Sequence, residues 1–334
     1  MKLKTKLIIG VIAFGILSDG SGCSKSDVEN VIKDIVPSTE FADYTDQLEA
    51  LVDVAGSEWA TVGKHDDTST VCVTFIDVGQ GDSILIEDDD EVMLIDTGAY
   101  EGYDNLKDVL QEKEITGIDV LVLTHPDADH IQNADEVIKD FGVDKIYMPD
   151  IKKDTWSYEN LMNAVVRYNV PIVEPVAGTE IVFGTATYEI LGPVYSDSSI
   201  YEDANSYSIV LKVVNGEDSF LFTGDATGYE MSDIIAAGHD LSADVLKASH
   251  HGSANGGCND ETLFDIVEPE SVVISCGLYN DHGHPHVETM QLIQKYECTL
   301  YRTDLQGTIE CISTGDGIEW LQDNSTNYKN GNSL

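Results

Sequence analysis

From Val71 onward the chain alternates short apolar runs with polar, glycine-bearing breaks, and this spacing predicts a sheet-rich fold with interleaved helices. Val71–Asp77 reads as a strand, followed by a tight glycine turn at Val78-Gly79-Gln80-Gly81-Asp82. Ser83–Glu87 and Val92–Asp96 read as a hairpin about Asp88-Asp89-Asp90. Apolar Leu106, Val109 and Leu110 at helical spacing predict a helix over Asn105–Glu112, before a strand at Val120–Leu123. Helices are expected next at Ala134–Phe141 and Tyr158–Tyr168, with strands at Lys145–Met148 and Ile172–Glu174. A strand-rich section then covers Ile181–Phe183, Thr187–Leu191, Ser208–Val214 and Ser219–Thr223. The last third alternates again, with helices at Tyr229–Ala237, Glu261–Val267 and Val287–Tyr296. Its strands are expected at Val245–Ala248, Val272–Ser275, Thr299–Arg302 and Thr308–Ile312. Two blocks that mix strands with covering helices predict an α/β protein of two sheets packed face to face, helices outside.

Ahead of Val71 the pattern is different. Residues 24–70 are polar and acidic, with short apolar groupings around Val28–Ile32 and Leu48–Val54, and read as a tether. Lys2, Lys4 and Lys6 precede an uncharged run from Leu7 to Leu17, too short to span a bilayer and suited to a signal-peptide core. Residues 1–23 are therefore expected to direct export. Cys23 after Gly20-Ser21-Gly22 resembles the lipid-attachment site of bacterial lipoproteins, although Gly20 stands where a Leu is usual. The expected location is the cell surface, through a lipid anchor at Cys23, or the medium by simple secretion. A membrane channel is not expected from one short apolar segment. The domain boundaries follow: 71–321 for the folded domain and 322–334 for a polar C-terminal tail.

The apolar fraction of 42% in 334 residues is ample for a core. Charge is the unusual quantity: 18 basic against 61 acidic residues give 18 − 61 = −43. A soluble, acidic, secreted surface accounts for most of it. Such a field repels nucleic acid and anionic membranes at long range, so a polyanionic substrate would have to be attracted locally, by bound cations. Besides Cys23, the cysteines are Cys72, Cys258, Cys276, Cys298 and Cys311, with no CxxC pair to indicate a structural zinc.

Candidate chemistry concentrates in Thr124-His125-Pro126-Asp127-Ala128-Asp129-His130, directly after the apolar strand. Pro126 disfavours helix at His125, so an extended loop is expected, with His125, Asp127 and Asp129 sharing a face. His125 and Asp127 would then serve one metal, and Asp129 and His130 a second. Three later stretches also place ligand side chains just past apolar segments: Thr223-Gly224-Asp225, Ser249-His250-His251-Gly252 and His282-Gly283-His284-Pro285-His286. Any one of these alone is more readily a structural or solvated feature, and His65 and His239 are taken as such. The dense His/Asp loop, the post-strand Asp and the post-strand His pair together make a metal site the better reading.

These stretches, with Phe75–Ser83, Leu94-Ile95-Asp96-Thr97-Gly98, Asn205-Ser206 and Leu246-Lys247, resemble the metallo-β-lactamase superfamily from about Val71 to Trp320. The resemblance is specifically to the hydrolase domain of the ComEC/Rec2 competence proteins and its stand-alone relatives. It implies a four-layer αββα sandwich with one or two divalent ions, zinc or manganese, at one edge of the sheets. Carried over position by position, it assigns His125 and Asp127 to the first metal, Asp129 and His130 to the second, and Asp225 to both. One of His250 and His251 completes the second site. The superfamily's third-motif histidine has no counterpart, since no histidine lies between His130 and His239; water or Asn205 is expected in its place. Oxygen ligands in place of imidazole shift preference towards harder ions such as manganese. Asp129 is also a candidate base for the attacking water. Lys247, His284 and His286 are candidates to hold substrate phosphate or protonate the leaving group, against a solvated Lys and a structural His-Pro turn. The implied activity is an exported phosphodiesterase or nuclease acting on nucleic acid or nucleotides. A phosphocholine-type cell-wall phosphoesterase and a catalytically silent surface-binding protein on the same scaffold are the alternatives.

Overall fold

The computed structural model describes residues 70–333; the expected signal segment, tether, Cys23 and His65 lie outside them. The first sheet takes up β1 (Val71–Phe75), β2 (Ile84–Asp88), β3 (Glu91–Ile95), β4 (Ile118–Val122), β5 (Val143–Tyr147) and β6 (Ile172–Val173). The second takes up β7 (Thr179–Glu180), β8 (Thr187–Gly192), β9 (Val210–Asn215), β10 (Asp218–Phe222), β11 (Val245–Lys247), β12 (Ser271–Ile274) and β13 (Thr299–Arg302). The chain then returns to the first sheet as β14 (Ile309–Ser313) and β15 (Ile318–Trp320), giving the order β15-β14-β1-β2-β3-β4-β5-β6 beside β13-β12-β11-β10-β9-β8-β7.

Strand alternation explains why two sheets stack. In β1 to β4, Val73, Phe75, Ile84, Ile86, Met93, Ile95, Val120 and Val122 face the second sheet and meet Phe220, Phe222, Val273 and Tyr301. Their neighbours Leu85, Leu94 and Leu121 point the other way, onto helices Tyr103–Glu112, Ala134–Phe141 and Trp156–Tyr168. The second sheet repeats the arrangement, with Leu221, Leu246 and Val272 against helices Gly228–Ala237, Glu261–Val267 and Val287–Lys295. Three apolar interlayers make the four-layer αββα sandwich expected. Each fully buried Leu, Ile or Phe stabilises it by roughly 1.5–3 kcal/mol.

Most predicted elements appear within a residue or two. Strand Ile181–Phe183 does not: the pairing to β8 falls at Thr179–Glu180, and Ile181 N–H still donates to Tyr188 O at 2.8 Å. Beyond it the chain is drawn off towards the first sheet, because buried Asp88 accepts from Thr185 N and Ala186 N at 2.9 Å each and from Thr185 Oγ1 at 2.7 Å. The polar C-terminal stretch 322–334 lies against the body over its described residues. Ser325 N–H donates to Leu300 O at 2.7 Å, and the buried Arg302 guanidinium donates to Asn327 O and Lys329 O at 3.1 and 2.7 Å.

Glu230 on helix Gly228–Ala237 is fully buried, and among the described residues no cation pairs with its carboxylate. Burial raises its pKa well above the usual carboxylate value. Its contribution to stability is complete below the unfolded value, roughly pH 4.3, and is lost as pH rises towards the folded pKa, because the unfolded chain releases its proton first. The slope approaches about 1.4 kcal/mol per pH unit. Glu230→Gln should therefore gain stability over wild type as pH moves from 5 to 8. Urea midpoints whose difference stays constant over that range would count against a buried neutral acid.

Candidate metal centre

β3 and β4 run parallel in one sheet, and β10, β11 and β12 run parallel in the other. The loops leaving their C-terminal ends meet at one rim of the sandwich, where ligands of α/β sheets generally bind. β4 delivers Thr124–His130, β10 delivers Thr223–Asp225, and β11 delivers Ser249–Gly252.

His125 leaves β4 fully buried, with its Nδ1 near Thr124 Oγ1 (3.1 Å) and Ser208 Oγ (3.4 Å), which directs Nε2 to the rim. Helix Ala128–Ile131 begins sooner than the extended loop expected, so Asp127 is extended but Asp129 and His130 are already helical. The turn carries His130 inward, where its Nδ1 lies 2.7 Å from Asp96 Oδ2. Asp96 also accepts from Thr124 N at 2.8 Å and Thr124 Oγ1 at 2.7 Å, so a buried carboxylate at the end of β3 fixes both the loop and the ring.

Asp225 approaches from the second sheet. Gly224 has φ +49°, and a Cβ there would stand 3.0 Å from Thr124 Cβ and 3.2 Å from Ser208 Cβ, so glycine is what lets the two sheets' loops touch. Gly81 serves the same end in the first loop: with φ +135°, its Cβ would lie 2.3 Å from Asp129 O. Asp225 Oδ1 ends 3.3 Å from His130 Nε2, and Oδ2 ends 4.0 Å from His125 Nε2 and 3.5 Å from His251 Nε2.

The structure separates the histidine pair. His251 is buried, with Nδ1 3.0 Å from Ser275 O and Nε2 3.2 Å from Asp129 Oδ2. His250 is partly exposed, with Nε2 3.6 Å from Asp225 Oδ2 and Nδ1 3.5 Å from Asn205 Nδ2. Both take left-handed backbone, φ 48° and 56°, which turns two adjacent rings towards one carboxylate.

Other candidates stand elsewhere. Lys247, expected to hold substrate phosphate, is buried and ion-paired to Asp82, which stands 3.2 Å behind His251 Nδ1. His286 Nδ1 accepts from Ala254 N at 3.0 Å and its Nε2 faces His282 O at 3.3 Å, so the ring serves the loop. His284 is buried with Nδ1 unpartnered, its ring 5.4 Å from that of His250. Asp127, expected beside His125 as a ligand, is ion-paired to Lys153 and lies 3.9 Å from His125 Nε2. Lys153, Ser208 and the Ser275 carbonyl were not marked by the sequence. Each sits in a loop whose neighbours are set by the tertiary fold.

His125 Nε2, His130 Nε2, His251 Nε2 and Asp225 Oδ1 are buried without hydrogen-bond partners, a cost of about 1–3 kcal/mol each if left so. Two donor sets, His125/His130/Asp225 and Asp129/His130/His251, each bring their ligand atoms within 4.8 Å of one another. Electrostatics agree with the geometry. Burial and His130 push His125 down to about 4, so it is a neutral lone-pair donor. Burial opposes charge on His130 and His251 too, but Asp225 with Asp96 holds His130 well above its ordinary value, and Asp225 with Asp82 holds His251 up to about 10. Asp225 and Asp129 are lowered despite burial, chiefly by His251 and His130. The rim is thus a concentrated negative field facing imidazole nitrogens, and this N/O donor set fits divalent zinc or manganese.

The family-wide sequence profile of the metallo-beta-lactamase superfamily matches residues 76–256, more than half of the chain. ComE operon protein 3 of Bacillus subtilis (strain 168) is 30% identical over 256 residues, taking in 71% of this chain and 32% of that protein. Recombination protein 2 of Haemophilus influenzae is 27% identical over 255 residues, taking in 75% and 30%. The chain therefore spans about a third of the length of the curated relatives it matches. Among solved structures, the metallo-beta-lactamase fold protein YhfI from Bacillus subtilis aligns over 72% of this chain and 99% of its own, at 14% identity and a TM-score of 0.48. The chain belongs to the metallo-β-lactamase superfamily, with ComEC/Rec2-type competence proteins among its relatives.

Proposed function

We propose that this chain is an exported metal-dependent hydrolase of phosphodiester bonds, acting on nucleic acid or nucleotides. The observation that carries the reading is the convergence of His125, His130 and His251 Nε2 on Asp225, all buried and unpartnered. Asp129, His130 and His251 would hold one ion and His125 with Asp225 a second, with His250 Nε2 and Asn205 Oδ1 as further donors on that side. Such ions supply Lewis-acid polarisation of the phosphoryl oxygen and a water of lowered pKa.

The chain's own residues prepare that chemistry. Asp96 holds His130 in one tautomer and orientation, and the Ser275 carbonyl does the same for His251. The Asp82–Lys247 pair keeps a fixed charge balance behind His251. Asp129, partly exposed, is placed to take the proton of the attacking water on its carboxylate. His284, with a free Nδ1 beside His250, is placed to hydrogen-bond the substrate. The net charge of −43 favours a small phosphodiester, such as a nucleotide or a phosphocholine-type wall group, over a long polyanion.

Metal analysis of the purified protein should find a divalent ion. Hydrolysis of bis(p-nitrophenyl) phosphate should be stimulated by zinc or manganese and abolished by EDTA. Neither metal nor turnover would leave a silent binding protein on a hydrolase scaffold. Given turnover, comparing single-stranded DNA, a cyclic dinucleotide and a β-lactam separates the substrate classes.

A further inference from the structure

Asp127 occupies the N-cap position of helix Ala128–Ile131 with extended backbone, yet its side chain makes no capping hydrogen bond. An aspartate there ordinarily accepts an amide hydrogen of the first turn. Instead its Oδ1 takes the ammonium of Lys153, and the same oxygen lies 3.9 Å from His125 Nε2. Lys153 arrives on the loop that leaves β5, next in the sheet to the β4 loop that carries the histidines. Side-chain exposures of 29% for Lys153 and 30% for Asp127 put the pair at the mouth of the centre, neither sealed in nor fully solvated.

Cations are scarce there. Lys247 and Arg302 are buried in pairs with Asp82 and Asp304. The other lysine ion pairs of the described residues engage carboxylates outside the histidine loops. Among the described residues, Lys153 is the lysine whose ion-pair partner stands on the Thr124–His130 segment, and no arginine pairs there. An anionic substrate approaching a chain of net charge −43 needs such a group near the reacting centre.

We propose that Lys153, presented by Asp127, binds a non-bridging phosphoryl oxygen of the substrate and is a specificity-determining residue of the centre. Asp127 thereby serves as the anchor of a cation and not as a metal ligand. This rests on the phosphoester reading above. A compact ammonium on a flexible stem can move from a carboxylate to a phosphoryl oxygen without a change of backbone.

The test uses metal-loaded full-length protein. Lys153→Met should raise KM for bis(p-nitrophenyl) phosphate about tenfold or more, with kcat within about threefold, since ground-state and transition-state binding are lost together. Metal content and the melting transition should not change, because a half-exposed ion pair adds little to stability. Lys153→Arg should recover most of the loss. Calorimetric titration with inorganic phosphate should show a matching weakening in Lys153→Met. Unchanged KM and unchanged phosphate affinity would overturn the proposal, as would loss of metal in Lys153→Met, which would make the residue a support of the centre. If wild type turns over no diester, the hydrolase reading fails by itself and the phosphate titration still decides the role of Lys153.

Discussion

Asp225→Asn is expected to lower hydrolysis by about three orders of magnitude or more, roughly 4 kcal/mol of transition-state stabilisation, with both sheets intact. Asp225 is the residue on which the histidines from both sheets converge: it completes the donor set of His125 and His130, and its Oδ2 also lies 3.5 Å from His251 Nε2 of the other set. Asparagine keeps the volume and the backbone N–H bond to Ser208 Oγ at 3.2 Å. It removes the negative charge that His130 and His251 face. In the metal-free protein His130 still faces Asp96 and His251 still faces Asp82 and Asp129, so neither ring is left as an unpaired buried charge and the fold should survive. Metal content should fall with activity, while far-ultraviolet circular dichroism should not change. Retained turnover in Asp225→Asn would show that the centre is elsewhere.

Much of this was legible beforehand for definite reasons. Helices Ala134–Phe141 and Glu261–Val267 match their expected bounds because local signals suffice: one apolar face each, and for the second an Asp260 cap accepting from Leu263 N at 3.0 Å. The ligand loops were legible because ligand side chains stood directly after apolar strands. The burial of Lys247 went unread although a signal existed. Period-two alternation puts it on the same face of β11 as Val245, which is buried between the sheets, and there Asp82 meets it. The pairing of Asp127 with Lys153 was not legible, since Lys153 lies 26 positions on and is brought near by the pairing of β5 with β4. The shift of strand Ile181–Phe183 has the same origin: Asp88, far off in sequence, captures the amides of Thr185 and Ala186.

The adjacent histidines provide the other large effect, because the sequence treats them alike and the structure does not. His251→Ala should cost at least about a hundredfold in activity and in affinity for one metal, more than loss of a supporting partner one layer out usually does. Its ring is buried, its Nδ1 is engaged by Ser275 O at 3.0 Å, and its Nε2 is free to face Asp129 and Asp225. That arrangement fixes the ring's orientation before any ligand arrives, so little ordering entropy opposes binding. His250→Ala should cost far less, within about tenfold. Its ring is partly exposed, with Asn205 and Cys258 at 3.5 and 3.8 Å from Nδ1 and Asp225 Oδ2 at 3.6 Å from Nε2. Metal titrations of the two variants, read beside kcat, decide between them. Equal losses would mean that His250 is as strong a ligand on the His125 side, where no third-motif histidine exists, as His251 is on the other. A larger loss for His250 than for His251 would invert the assignment and place the main ion towards Asn205.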